Sequence, residues 1–289
     1  MNTYILNLRN QEVGGAVTSG RLYRIERDKD VDWDANLHEF TTATSEKRIL
    51  TLVHGYNNIQ SVGRERLITF GKILRKNGIE DNILAVLWPG DGYAKALTYP
   101  FEGLDADNTA EALSKWLMIN THKSTRIAFV GHSLGCRVVM NSAKIIAQKG
   151  SQALDRICLM APAIDNDSLG RSGKTCYQEA TLAAKKIAVL ASEEDAVLHF
   201  AYPLGDLVQT ILYGERWGSA LGRSGPVENE QRILNQIERV PKAAPARDIG
   251  HGAYLQIDPH RPFNTIAESE IFISGFLEGK PSTTWPAQR

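Results

Sequence analysis

Cysteine is scarce in this chain, with only Cys136, Cys158 and Cys176 among 289 residues. An odd number without Cys-x-x-Cys spacing excludes a disulfide framework and a zinc knuckle, so all three are expected to be reduced packing residues. An excess of either charge is missing as well. Lys and Arg total 33, as do Asp and Glu, which leaves no field to hold a nucleic-acid backbone or an anionic lipid surface. No nucleic-acid partner is expected. Residues 1–15 lack a basic start followed by a long apolar run, and no apolar run elsewhere approaches a membrane span. No stable membrane insertion is expected, and the expected location is the cytoplasm. Repeats and low-complexity segments are absent, and the Pro/Gly-rich stretches at 222–226, 241–245 and from Gly279 read as loops within one domain spanning 1–289. Neither His-Glu-x-x-His nor Gly-x-Gly-x-x-Gly occurs, so no metal and no cofactor are expected. Residues 168–175 come near a phosphate-binding loop. Ser168 stands where its first glycine belongs, however, and the preceding strand ends too early, so the segment reads as a solvent-exposed loop.

What the chain does contain is 43% hydrophobic residues, enough for a substantial core. Branched apolar runs at Tyr4–Leu8, Ile49–Val53, Ile83–Trp88, Ile127–Val130, Ile157–Met160 and Ile187–Leu190 predict strands, with Leu22–Ile25 a weaker candidate and a last one around Ile237–Val240. Helical spacing lies between them. Val62, Leu67, Phe70 and Leu74 share a face that ends at Asn77-Gly78, where a left-handed cap is expected. A second helix is predicted from about Thr109, with Asn108 and Glu111 as a capping box. Continuous apolar strands alternating with amphipathic helices predict an α/β fold with a mostly parallel central sheet covered on both faces, and with its chemistry at the carboxyl ends of the strands. Residues 196–232 break the rhythm and read either as a lid or as ordinary helical packing.

One such carboxyl end carries Gly131-His132-Ser133-Leu134-Gly135. A Gly-x-Ser-x-Gly match turns up by chance in roughly one chain in ten of this length, but here it falls between an apolar strand and an apolar helix. That context suits a tight turn presenting Ser133 as a nucleophile. A serine hydroxyl needs a base in hydrogen-bond reach and a third group to orient that base. On a sheet of this kind the acid and then the histidine follow the serine in the chain, which leaves His199, His251 and His260. His199 sits in an apolar run and reads as a packing residue, and His260 lies beside prolines near the surface. His251, between Gly250 and Gly252 after the last strand, is the expected base. For the acid, Asp195 closes the strand at Ile187–Leu190 and is favoured over its neighbours Glu193 and Glu194. Asp165 and Asp167, after the preceding strand, remain the alternative. Oxyanion donors are expected from the backbone amides of Leu134 and of Tyr56, the latter in the loop His54-Gly55-Tyr56-Asn57-Asn58, where Gly55 is expected to turn the chain and His54 to brace it.

With Val53-His-Gly-Tyr-Asn57, Trp88-Pro-Gly-Asp-Gly92, Gly131-His-Ser-Leu-Gly135, Ala161-Pro-Ala-Ile-Asp165, Ser192-Glu-Glu-Asp195 and His251-Gly-Ala-Tyr254 together, the sequence resembles the α/β-hydrolase superfamily. It is most similar to the branch known as alpha/beta hydrolases of unknown function. The resemblance covers about Ile49 to Tyr254 and departs at Ala163, where the branch often has aspartate, and in lacking a triple-glycine oxyanion loop. It implies a Ser133-Asp195-His251 triad acting without cofactor on an ester-like bond of a small-molecule acyl substrate. The competing expectation is a catalytically idle hydrolase fold used for ligand binding or protein interaction.

Overall fold

A computed structural model of the chain describes residues 1–26, 29–32, 37–91, 102–173, 176–200, 219–238, 250–255 and 263–280. Its principal elements are β1 (Thr3–Arg9), β2 (Val17–Glu26), β3 (Lys29–Asp32), α1 (Leu37–Thr44), β4 (Arg48–Val53), α2 (Gln60–Lys76), β5 (Asn82–Leu87), α3 (Glu102–Asn120), β6 (Arg126–His132), α4 (Gly135–Lys149), β7 (Ala153–Met160), α5 (Gln178–Ala183), β8 (Lys186–Leu190), α6 (Ala196–Phe200), β9 (Ile237–Glu238) and a C-terminal helix, Phe263–Glu278. Among the described residues the strands form one sheet of nine, in the order β3-β2-β1-β5-β4-β6-β7-β8-β9. The pairs β1·β2 and β2·β3 are antiparallel, and all other neighbours run parallel.

Both faces of the parallel strands are buried, which is why they read as continuous apolar runs. Ile49 and Val53 of β4, Leu84 and Val86 of β5, and Ile127 and Phe129 of β6 enter one core, shared with α3 and α4. Their alternates Leu50 and Leu52, Ile83 and Ala85, and Ala128 and Val130 enter a second core, shared with α2 and the C-terminal helix. The period of two along each strand thus divides the apolar side chains between two helical layers. After β4 the chain adds β5 on one side and later β6 on the other, so the order reverses around β4. In open sheets the crevice at such a switch point, beyond the carboxyl ends, is where ligands bind.

Several boundaries differ from the sequence reading, β2 and β7 beginning at Val17 and Ala153 rather than at Leu22 and Ile157. The helix predicted from Thr109 begins at Glu102, so Asn108 and Glu111 lie inside α3 rather than at its start. Asp105, Asp107 and Asn108 are weak helix formers and mask the first turns. Asp107 is accommodated by hydrogen bonds from Arg137 Nε (2.9 Å) and Asn141 Nδ2 (2.6 Å) of α4, and Ala106 and Ala110 continue the buried stripe. Strand β3 carries no apolar alternation and was not predicted. The end of α2 is as expected: Gly78 is left-handed (φ 94°), and the Ile79 amide donates back to the Leu74 carbonyl at 3.0 Å. Ser168–Gly170 depart from the exposed loop expected there. Ser168 and Leu169 are buried, and the Gly170 amide donates to Glu228 Oε1 at 2.6 Å. The three cysteines are buried and form no disulfide among the described residues. No helix among the described residues is long and apolar enough to cross a membrane. Residues 201–218 of the predicted lid-like stretch, and 239–240 of the last predicted strand, lie outside the described residues.

At the edge opposite the switch-point crevice, Arg48 joins four parts of the chain. Its guanidinium donates to Asp81 (2.6 Å), Asp155 (2.9 Å) and the Leu277 carbonyl (2.6 Å), linking β4, the turn before β5, β7 and the C-terminal helix. The side chain is 15% exposed and its acids are 12% and 7% exposed. Removing the cation would leave two largely desolvated carboxylates unpaired. Arg48→Met is therefore expected to lower stability by about 3 kcal/mol, read as a shift of the urea midpoint, and an unchanged midpoint would refute that role.

Candidate active site

The two glycines around Ser133 answer to space. A Cβ at Gly135 would lie 2.3 Å from the His54 carbonyl oxygen, and one at Gly131 would lie 3.1 Å from the backbone of Cys136. Glycine at these positions lets the first turn of α4 press against both the end of β6 and the loop after β4. Between them Ser133 is left-handed (φ 54°), a conformation costing about 1–3 kcal/mol outside glycine. Backbone bonds hold it there: the Ser133 amide donates to the Met160 carbonyl (2.9 Å), and its own carbonyl accepts from Cys136 (3.0 Å) and Ala163 (3.2 Å).

His251 lies in a single 3-10 turn, His251–Leu255, whose far end is seated in the core by Tyr254 and Leu255. Its Nδ1 is 2.7 Å from Asp195 Oδ2, and its Nε2 is 2.8 Å from Ser133 Oγ. A carboxylate only accepts, so Nδ1 carries the proton and Nε2 accepts from the hydroxyl. Asp195 is fully buried, and its second oxygen, Oδ1, accepts the Leu198 amide at 2.9 Å, capping α6. The alternatives are engaged elsewhere. Asp165 and Asp167 pair with Arg171 at 3.0 and 3.2 Å, and Glu193 and Glu194 are exposed. His199 falls in α6, while His260 lies outside the described residues.

The loop after β4 is held from several sides. Gly55 does not supply the turn expected of it. The left-handed residue is Asn57 (φ 60°), and Gly55 instead permits contact, since a Cβ there would sit 2.9 Å from that of Ser133. The Gly55 carbonyl accepts from His54 Nδ1 (2.9 Å) and Asn58 Nδ2 (2.9 Å). Because a peptide is planar, fixing that carbonyl fixes the direction of the Tyr56 amide. Trp88 pins His54 at both ends, its amide donating to Nε2 (3.3 Å) and its indole to the His54 carbonyl (2.8 Å). Arg9, ion-paired with Asp91 at 2.6 Å, donates to the Asn58 and Trp88 carbonyls, and Arg66 donates to Asn58 Oδ1 at 2.7 Å. The Leu134 amide, immediately before α4, donates to no backbone carbonyl among the described residues.

Sequence reasoning missed Asn58, Arg9 and His132. The first two act on backbone carbonyls, which leave no pattern in the sequence, and His132 was set aside because it precedes the serine. Burial pushes His54 down to about 4 and His132 down to about 3, with the neighbouring His251 ring adding to the latter effect. Both are neutral around the site.

The family described as "Alpha/beta hydrolase of unknown function (DUF900)" matches residues 29–245, most of the chain. The chain belongs to that alpha/beta hydrolase family. No curated protein matches it in sequence. Among solved structures it is similar to carboxyl esterase 2 of the mycorrhizal fungus Tuber melanosporum, at 12% identity over 96% of this chain and 85% of that one, with a TM-score of 0.46. It is also similar to a Trichoderma reesei cutinase, at 15% identity over 52% and 67% of the two chains, with a TM-score of 0.27. The RedJ thioesterase of Streptomyces coelicolor matches at 17% identity with a TM-score of 0.29, over 45% of this chain and 44% of its own length, so the chain spans less than half of that protein.

The two buried histidines make stability depend on pH. Unfolded, each titrates near 6.5; folded, His54 does so at about 4 and His132 at about 3. Between those values the unfolded chain binds the extra proton. The stability contributed by the neutral rings is thus complete above about pH 6.5 and lost below it, at up to about 1.4 kcal/mol per pH unit for each. Urea denaturation between about pH 7 and pH 5 is expected to show a steeper decline for the parent than for His132→Gln. Equal slopes would contradict the assignment for His132.

Proposed function

We propose that the protein is a serine hydrolase that cleaves a carboxylic ester or related acyl bond of a small molecule, acting in the cytoplasm as one domain. Ser133 is the nucleophile, His251 the base and Asp195 the acid that orients it. The observation that carries this reading is the single imidazole of His251, within 2.8 Å of Ser133 Oγ and 2.7 Å of Asp195 Oδ2. As Ser133 Oγ attacks the acyl carbonyl, its proton passes to His251 Nε2, and the buried carboxylate stabilises the imidazolium. Charge developing on the carbonyl oxygen is met by the amides of Leu134 and Tyr56, whose orientation is set before substrate arrives. The imidazolium returns its proton to the leaving group as the bond to it breaks. Water then attacks the acyl-serine, again giving a proton to His251, and Ser133 leaves with that proton restored. No metal or cofactor is required by these steps.

Ser133→Ala is expected to abolish both hydrolysis of an activated ester and labelling by a fluorophosphonate, with its thermal midpoint retained. Parental labelling in that variant would overturn the assignment. Asp195→Asn separates charge from fold, because an amide oxygen still caps α6. Turnover in Asp195→Asn is expected to fall by as much as about 10⁴-fold, the cost of the equivalent change in a serine protease, whereas Asp165→Asn should alter it little. The reverse ranking would move the acid to the earlier loop.

A further inference from the structure

We infer that His132, which the reaction above does not use, is a positioning residue that fixes the backbone of the catalytic base; this rests on the triad reading of Ser133, Asp195 and His251. His132 Nε2 lies 2.7 Å from the carbonyl oxygen of His251. A carbonyl only accepts, so the Nε2 proton is donated to it. The other ring nitrogen, Nδ1, is buried without a hydrogen-bond partner among the described residues, and a Cβ at Gly55 would lie 2.9 Å from it. Among the described residues no acceptor stands there for a second proton, and the tautomer with its proton on Nε2 is the one that has a partner.

The turn bearing His251 needs such a support. Gly250 and Gly252 flank the base, and a Cβ added at either would have nothing within 4 Å among the described residues. The Ala253 amide donates to the Gly250 carbonyl at 2.9 Å, a bond within the turn that does not tie it to the sheet. His132 is the last residue of β6, in register with Met160 of β7, and is 6% exposed. It is therefore a post on the central sheet. Adjacent residues hold the two halves of one histidine: Ser133 takes the ring of His251 and His132 takes its main chain. The two rings lie 5.1 Å apart between centroids. A charged His132 would oppose the imidazolium that forms on His251, whereas a neutral donor does not.

Glutamine can place an amide nitrogen where His132 has Nε2, whereas asparagine reaches only the position of Nδ1. The test compares purified parent, His132→Gln, His132→Asn and His132→Phe for thermal midpoint, fluorophosphonate labelling at Ser133, and kcat and KM on an activated ester. In His132→Phe and His132→Asn, kcat and labelling rate are expected to fall by about tenfold to a hundredfold, the scale of a misplaced catalytic group, with KM little changed. His132→Gln is expected to recover most of that loss. A loss that followed the thermal midpoint across all the variants, with no recovery in His132→Gln, would reduce His132 to a packing residue. If His132→Phe does not fold, His132→Gln against His132→Asn decides alone, and equal rates overturn the inference. A parent that neither labels nor turns over removes the triad reading and this role with it. A parent that labels no faster than His132→Phe removes only the positioning role.

Discussion

Much of this structure depends on one close approach of backbone to backbone. The first turn of α4 meets the loop after β4 at Gly135, where any side chain would collide with the His54 carbonyl. That contact brings His132 and Ser133, from one strand's end, against Gly55, from the end of its neighbour in the sheet. The Trp88 indole on the His54 carbonyl, Asn58 on the Gly55 carbonyl and Arg9 on the Asn58 carbonyl all hold the loop that forms the other side of this contact. The strained Ser133 backbone is tolerable because its neighbours leave it no relaxed alternative.

A second constraint is electrostatic. Three histidines converge beyond β4 and β6, and two of them are held neutral by burial. Each neutral ring has one nitrogen that donates and one that does not, so its hydrogen bonds have a direction. His54 donates through Nδ1 to a carbonyl and accepts an amide at Nε2; His132 donates through Nε2. The third ring, that of His251, faces Asp195 Oδ2 with Nδ1 and Ser133 Oγ with Nε2.

The sheet was legible because its parallel strands are buried on both faces and so appear as unbroken apolar runs, bounded by helical periods. Ser133 was legible from glycines whose absence of side chain is itself the signal. Chain order left His199, His251 and His260, and of these the structure brings His251 within hydrogen-bond reach of Ser133 and Asp195. The start of α3 was hidden by Asp105, Asp107 and Asn108, whose local preference gives way to contacts from α4. Strand β3 was hidden because an edge strand paired through its backbone needs no apolar pattern. Gly55 was assigned the correct loop for the wrong reason: room for Ser133, with the turn itself made at Asn57. Arg9 and Asn58 escaped because their partners are main-chain carbonyls, which every residue carries, and His132 because it precedes the serine.

Asp195 also bears on how motion is distributed. Its two oxygens face different masters, one a helix amide and the other an imidazole. A carboxylate held at both oxygens cannot rotate about its last bond without uncapping α6. The torsion that would let it follow a wandering histidine is thus coupled to the unwinding of a helix turn. Any displacement of α6 would displace that carboxylate, and with it the acceptor that faces His251 Nδ1.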